Sequence, residues 1–157
     1  MLMRLALRVI VVGTVTMFFD APLAGQSKED TIRDVLVTYA ELMQAKDLAG
    51  MESLFAPDSG VRIIEGAGVN RGWADYRDHH LGPELEHAEE FQIRYFAVEP
   101  QVRNDVAWAA FRYELAAVMS GSRVEMEGRG TAVLERREGR WLIVHLHTSG
   151  RRKRTEG

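Results

Sequence analysis

The stretch that decides the fold reads VAWAAFRYELAAVM at residues 106–119, RVEMEGRGTAVLERR at 123–137 and RWLIVHLHTS at 140–149. The two short linkers, residues 120–122 (SGS) and 138–139 (EG), have the composition of tight hairpin turns. Within residues 123–137, apolar or small residues alternate with polar ones, which is the period of a strand with one dry face. These segments are therefore predicted to be antiparallel neighbours in one sheet, preceded by another strand over residues 91–99.

Two of these strands carry large apolar side chains on both faces. Trp108 alternates with Phe111 and Tyr113 in one strand, and Trp141 and Ile143 alternate with leucine and valine in the last. A sheet that is apolar on both sides needs a partner on each side. Helices can cover one face, so the outer face is predicted to bury against other copies of the chain, as a homodimer or larger ring.

Helices are predicted before the strands. Apolar residues from Ile32 to Met43 recur at helical spacing behind a Ser27 cap, which indicates an amphipathic helix of about 18 residues. A short second helix begins at Asp47 and ends before residues 57–60.

A short strand over residues 61–64 and a glycine-rich loop over 66–72 are predicted to follow the second helix. Trp73, Tyr76 and His80 then share one face of a third helix, which Gly82 and Pro83 are expected to end. Helices followed by hairpin strands indicate the α+β class.

The bulk composition limits the functions open to the chain. A length of 157 residues suits one domain, here placed at residues 27–150, with a disordered basic tail at 151–157. A net charge of -3 without a concentrated basic field argues against a nucleic-acid partner. With no cysteine, disulfides and thiolate metal sites are excluded, and no cofactor is expected.

The N-terminus has the layout of a secretory signal peptide over residues 1–25. Arg4 and Arg8 precede an apolar run over residues 9–19, and small residues follow at 21–25. The run is shorter than the about 20 residues that a membrane-spanning helix needs. The protein is therefore expected to be exported, periplasmic or secreted, without a stable membrane anchor.

Two segments resemble a known family. Residues 138–150 (EGRWLIVHLHTSG) resemble the closing strand of the calcium/calmodulin-dependent protein kinase II association (hub) domain, and residues 109–113 (AAFRY) resemble another hub strand. Residues 39–48 resemble the first helix and turn of nuclear-transport-factor-2-like proteins, which include ketosteroid isomerases and SnoaL-like cyclases. The resemblance implies a cone-shaped, curved antiparallel sheet wrapped around N-terminal helices, the cystatin-like arrangement. It also implies assembly and a ligand-sized pocket, not phosphorylation.

The resemblance to ketosteroid isomerases suggests candidate catalytic residues. Those enzymes use an aspartate base and hold the enolate oxygen with a tyrosine and a protonated aspartate. Tyr39 matches the tyrosine by its spacing to the following turn, whereas Ile63 stands where the base belongs. Glu65 lies two residues further on and would face the same side of a strand, so it is the candidate for a relocated base. The alternative is that Tyr39 is a core aromatic with its hydroxyl satisfied.

Arg112 is the candidate for binding a ligand. By its match to a pocket arginine of the hub domain, it would capture an anion such as a carboxylate, or else pair with Glu114 on the same strand face. Tyr39, Tyr76 and Trp108 complete the predicted ligand-binding set as apolar walls.

His145 and His147 share a strand face with spacing that can chelate a metal, but the hub resemblance places both on the outer side with Trp141 and Ile143. A metal is therefore not expected there. The favoured function is a small-molecule-binding or oligomeric assembly module, with no chemistry of its own. The alternative is an isomerase, cyclase or lyase that acts on an enolisable ketone or polyketide-like substrate, with Glu65 or a histidine as base and Tyr39 as donor to the oxyanion.

Overall fold

The computed structural model describes residues 27–58 and 60–153. The predicted signal peptide and residues 154–157 of the predicted tail lie outside this range. The elements follow the predicted order of helices and then strands, so the α+β class is confirmed. No helix in the described ranges is both long enough and apolar enough to span a membrane.

The first helix, α1 (Lys28–Gln44), forms where its cap and its apolar stripe predict it. Ser27 accepts a hydrogen bond from the Asp30 backbone N–H, and the Asp30 side chain accepts one from the Ser27 backbone N–H. The buried face of α1 includes Ile32, Leu36 and Tyr39, each 0% exposed. Asp47 caps the short helix α2 (Leu48–Glu52) by accepting from the Gly50 backbone N–H.

The third helical segment does not end at Gly82 and Pro83 as predicted. It consists of α3 (Trp73–Tyr76), a π-helical turn (Arg77–Leu81) and α4 (Gly82–His87). In the π-helical turn, the Gly82 N–H donates to the Arg77 carbonyl, five residues back. Pro83 then stands in the first turn of α4, where a missing N–H costs little, so the chain stays helical.

The strands form one curved, open sheet in the order β2-β1-β6-β5-β4-β3. Their bounds are β1 (Arg62–Glu65), β2 (Gly68–Arg71), β3 (Ala88–Arg103), β4 (Val106–Met119), β5 (Ser122–Arg137) and β6 (Arg140–Arg152). Strands β3 to β6 are antiparallel neighbours, as predicted, and β1 runs parallel to β6. The predicted glycine-rich loop is wrong in part, because β2 lies within it and pairs with β1.

The two faces of the sheet are set by alternation along β4. Ala107, Ala109, Phe111 and Tyr113 are buried on the inner face, which packs against the helices. Trp108 points to the outer face with a relative exposure of 39%. On the inner face, Phe111 lies against Gly130 of β5, and Tyr113 lies against Gly128 of β5 and Gly150 of β6. Glycine at these positions leaves room for the two rings on the neighbouring strand.

A bulge changes the alternation in β6. The register between β5 and β6 shifts between Val133 and Leu134, so that Leu134 pairs with Ile143 and Val133 pairs with His145. The predicted outward position of Ile143 is therefore wrong: it is 0% exposed in the core, and Trp141 is buried as well. Val144 is the extra residue of β6 at this bulge, so the residues on its two sides face opposite ways. Of the four residues predicted to face outward, only His145 and His147 do so.

The last strand extends beyond its predicted end at Ser149. Arg151 and Arg152 belong to β6, and the Lys153 backbone N–H donates to the Glu125 carbonyl. Arg151 pairs with Glu127 at 2.8 Å. These three residues therefore do not form the start of a disordered tail.

The opposite edge of the sheet is irregular. The register between β3 and β4 shifts between Phe96 and Glu99, and Ala97 within this bulge has a φ of 48°. Pro100 follows the bulge within the same edge strand. The long strand β3 is thus interrupted near its middle.

Candidate functional site

A cavity of about 290 Å³ lies between the inner face of the sheet and the helices. Its apolar lining includes Met43, Leu81, Phe91, Ile93, Leu115 and Met126, and its polar lining includes Glu65, Glu84, Tyr95, Tyr113 and Thr148. No arginine or lysine is among the described residues that line it. The cavity thus combines apolar walls with carboxylates, which suits a neutral ligand better than an anionic one.

Glu65 is the carboxylate that strand geometry directs into this cavity. Glu65 lies two residues after Ile63 in β1, and side chains two residues apart in a strand face the same side. Ile63 is buried, so Glu65 also faces inward, where it pairs with Thr148 of β6. Its Oε1 atom accepts a hydrogen bond of 2.7 Å from the Tyr76 hydroxyl. Its Oε2 atom lies 3.2 Å from His80 Nε2. The predicted orientation of Glu65 is therefore found, and both of its oxygens have a partner.

His80 connects Glu65 to the helical segment. The combination of α3, the π-helical turn and α4 places Tyr76, His80 and Glu84 on one side, with the Tyr76 and His80 rings 5.2 Å apart. His80 Nε2 lies 3.4 Å from Glu84 Oε1, and His80 Nδ1 lies 3.0 Å from Asn70 Oδ1. Burial raises the pKa of Glu84, the charge of His80 lowers it in part, and Glu65 raises it further.

Three tyrosines surround this group of polar side chains. Tyr39 and Tyr76 are 0% exposed, and Tyr95 is 7% exposed at the cavity wall. Burial raises the pKa of all three phenols well above its usual value, and the negative charge of Glu65 contributes to each rise. The three hydroxyls therefore keep their protons and can act as hydrogen-bond donors.

Tyr39 is a fully buried aromatic of the hydrophobic core and does not line the cavity. Its hydroxyl is buried and makes no hydrogen bond of good geometry to a described residue, although the Tyr76 hydroxyl lies close enough to lower its pKa in part as a hydrogen-bonding neighbour. Its ring contacts Phe55 and Tyr95, with centroids 5.4 and 6.0 Å away. Tyr95, and not Tyr39, presents its side chain to the cavity. Tyr39 therefore packs behind Tyr95 and does not contact the cavity.

The other predicted ligand residues lie on the opposite face of the sheet. Arg112, Trp108 and Glu114 all occupy outward positions of β4, because they alternate with Phe111 and Tyr113. The Arg112 guanidinium lies 5.4 Å from the Phe96 ring centroid. Glu114 accepts from Arg94 and Lys153, not from Arg112, so the predicted pair between Arg112 and Glu114 is not found. The structure does not bring these three residues together with Tyr39 and Tyr76.

His145 and His147 lie on the outer face, where the resemblance placed them. They pair with Val133 and Thr131 of β5, away from the cavity. Burial lowers the pKa of His145, and the neighbouring His147 lowers it further. The outer histidine pair is therefore distinct from His80.

Sequence reasoning missed His80, Glu84, Asn70 and Tyr95 as members of the site. Tyr76, His80 and Glu84 are each four residues apart, a spacing that indicates one shared helix face. Because the helix was expected to end at Gly82, Glu84 was not placed on that face. Tyr95 alternates with Ile93 on the inner face of β3, and this pattern alone does not distinguish a cavity wall from a core position.

The arrangement can transfer protons and can hold a cation. The ligand atoms of Glu65, His80 and Glu84 all lie within 4.8 Å of one another. A carboxylate beside an imidazole and buried phenols is a set of groups that can accept and donate protons.

Comparison with known families identifies the domain. A family model described as a SnoaL-like domain matches residues 32–151. The chain belongs to the SnoaL-like family. None of the curated proteins compared with this SnoaL-like chain matches it.

Solved structures confirm the fold of the SnoaL-like domain. A nuclear transport factor 2-like superfamily protein from Salmonella enterica serovar Typhimurium superposes with a TM-score of 0.73 at 23% identity, covering 82% of this chain and 94% of that one. A Xanthomonas campestris protein assigned as a calcium/calmodulin dependent protein kinase II association domain gives 0.67 at 18% identity, covering 83% and 93%. A Shewanella frigidimarina protein assigned as a ketosteroid isomerase gives 0.64 at 23% identity, covering 74% and 92%. The predicted resemblance to this superfamily is thus confirmed.

Proposed function

We propose that this SnoaL-like protein catalyses proton transfer next to a carbonyl group, as an isomerase, cyclase or lyase. The observation that carries the proposal is the Glu65 carboxylate at the wall of an apolar cavity, hydrogen-bonded to Tyr76 at 2.7 Å and next to His80 at 3.2 Å. A fixed carboxylate beside an apolar space is a suitable general base for a weakly acidic C–H bond. The site therefore favours the catalytic function over binding alone.

The side chains around the cavity have distinct roles in the proposed reaction. Glu65 takes a proton from the carbon next to the carbonyl, and the C–H electron pair forms the enolate. Tyr95 lines the cavity, and its hydroxyl, which keeps its proton, donates to the enolate oxygen. Return of the proton from Glu65 to a different carbon of a conjugated enolate completes an isomerisation. In an elimination, the enolate electrons form a C=C bond and the leaving group departs from the neighbouring carbon with its bonding electron pair.

The cavity also limits the substrate class. Glu65 and Glu84 both line it, and no arginine or lysine is among the described residues of the lining; the adjacent His80 offsets their charge only when its ring is protonated. A carboxylate ligand would be repelled, because like charges in a space of low polarity disfavour each other. We therefore expect a small, neutral and mostly apolar ketone.

The experiment that tests this function is hydrogen–deuterium exchange of 2-tetralone in D2O, followed by proton NMR with EDTA present. This neutral ketone carries acidic C–H bonds next to its carbonyl. We expect the protein to exchange these protons faster than buffer does. Exchange at the buffer rate would remove the catalytic proposal and leave the binding function.

We further propose that the outer sheet face joins two copies of the chain. Trp108 and Val133 are paired across β4 and β5, and Ala110 and Thr131 form the next pair on this face. Trp108 is 39% and Val106 43% exposed, which leaves an apolar area open to a partner.

Substitution Trp108→Lys is expected to convert a dimer into a monomer, because it places a charge in the centre of this apolar area. Light scattering coupled to size exclusion measures the mass directly. Val69→Lys is the control, since Val69 is 56% exposed but lies on the distant strand β2. A wild-type protein that elutes as a monomer would contradict the proposed interface.

Export is proposed from the arginine, apolar and small-residue pattern of residues 1–25. The intact mass of the protein from the extracytoplasmic fraction is expected to correspond to a chain whose first residue lies near Gln26. A mass that retains the N-terminal segment would argue against cleavage.

A further inference from the structure

Three lone-pair donors converge at one point of the cavity wall. Glu65 Oε2 lies 3.2 Å from His80 Nε2, and Glu84 Oε1 lies 3.4 Å from the same nitrogen. The arrangement is built from two separate parts of the chain, strand β1 and the helical segment that contains the π-helical turn.

The orientation of His80 follows from its other neighbour. The Asn70 amide donates from Nδ2 to Asp75 Oδ2, at 3.4 Å, and Asp75 Oδ2 also accepts from the Arg71 backbone N–H at 2.8 Å. The Asn70 carbonyl oxygen is thereby turned towards His80 Nδ1, at 3.0 Å. Since a carbonyl oxygen only accepts, Nδ1 must carry the ring proton.

With this tautomer, the lone pair of His80 Nε2 and two carboxylate oxygens face one another and repel. In a neutral imidazole with its proton on Nδ1, the Nε2 lone pair points at two carboxylate oxygens. Three acceptors facing one another need a positive charge between them. A proton on Nε2 meets part of this requirement, whereas a divalent cation bonds to all three atoms.

Two of the three distances between ligand atoms are compatible with zinc. Zinc bound to nitrogen and carboxylate oxygen at about 2.0 to 2.1 Å in tetrahedral geometry has ligand atoms about 3.3 to 3.4 Å apart. The two distances from His80 Nε2 are 3.2 and 3.4 Å, and all three ligand atoms lie within 4.8 Å of one another. The third distance, between Glu65 Oε2 and Glu84 Oε1, can shorten to the zinc value because the Glu84 side chain is 51% exposed and can move.

We infer that Glu65, His80 and Glu84 form a zinc-type divalent metal site whose fourth position faces the cavity. Asn70 acts as the positioning residue, because it fixes the ring tautomer that presents Nε2 to the metal. The Tyr76 hydroxyl holds Glu65 Oε1 and leaves Oε2 for the ion. A zinc ion on Oε2 would lower the basicity of the Glu65 carboxylate through its positive charge, so bound zinc and proton transfer by Glu65 exclude each other.

The test is equilibrium dialysis of the untagged protein against Zn²⁺ alone, with metal content measured by mass spectrometry. We expect one zinc per chain, no specific binding by His80→Ala, and binding weakened about 10- to 100-fold by Asn70→Ala. Glu84→Gln is a second ligand variant that leaves the fold in place, since its side chain is half-exposed, and it should also weaken binding. Circular dichroism confirms that each variant is folded.

His147→Ala is the matched control, because His147 is exposed on the outer face and belongs to the other histidine pair. It should bind zinc as the wild-type protein does. Absence of zinc in the wild-type protein, full binding by His80→Ala, or loss of binding in His147→Ala would each overturn the site. Metal content is measured without a ketone, and the exchange assay contains EDTA, so the metal site and the proposed catalysis can fail separately.

Discussion

Replacing Glu65 with glutamine should slow the exchange of 2-tetralone by about 100- to 10,000-fold, which is the typical contribution of a general base. A glutamine amide has the shape of the carboxylate but cannot take up the proton. The measurement is the rate at which the proton NMR signal next to the carbonyl disappears in D2O with EDTA present. This loss is the largest effect on activity that the site predicts.

The variant Glu65→Gln is also structurally mild. The glutamine oxygen can still accept the hydrogen bond from Tyr76, and its amide can face His80, so the fold should remain intact. Glu86→Gln is the control, since Glu86 is an exposed carboxylate on the same helix as Glu84. If both variants exchange 2-tetralone at the wild-type rate, Glu65 is not the base.

Substitution Gly130→Ala should lower the free energy of unfolding by about 3 kcal/mol, at the upper end of the usual cost of overpacking a core. A methyl group at this position would come within 2.6 Å of Phe111 Cε2. The Phe111 ring is 2% exposed and stacks on Tyr95 with centroids 4.3 Å apart, so it cannot move aside freely. Urea denaturation measures the loss.

A double mutant separates this clash from a general effect of alanine. The three atoms nearest to the added methyl group all belong to Phe111, so Phe111→Leu should recover part of the loss when combined with Gly130→Ala. At Gly128 the added group would also meet the backbone carbonyl of Ser149, and Tyr113→Leu should not rescue Gly128→Ala. Purely additive losses for Gly130 and Phe111 would show that the ring does not cause the instability.

The fold was predictable where local chemistry agrees with the final packing. The Ser27 cap, the hairpin turns and the alternation in β4 each depend on neighbouring residues, and each appears as predicted. The errors occur where one residue changes the register. The bulge near Val144 reverses the expected position of Ile143, and the π-helical turn before Gly82 allows the helix to continue through Pro83.

The site was only partly predictable, because its members come from separated parts of the chain. The inward direction of Glu65 follows from its spacing to Ile63, but its contact with His80 depends on how the helical segment packs on β1. Arg112 shows the opposite case. Its match to a hub arginine suggested a residue of the same pocket as Tyr39 and Tyr76, whereas strand alternation places it on the outer face, where it lines a separate hollow with Phe96 and Glu114. Alternation along the strand was the better guide to its position.

The interruption of β3 has a consequence for the solubility of the folded chain. A long edge strand offers free backbone groups to which the strands of other molecules can add, a route to fibrous aggregates. The bulge at Ala97 and the proline at position 100 break that template, because a distorted backbone and a missing N–H both prevent continuous pairing. Growth of the sheet from this edge is thereby blocked, while the faces remain free for specific contacts.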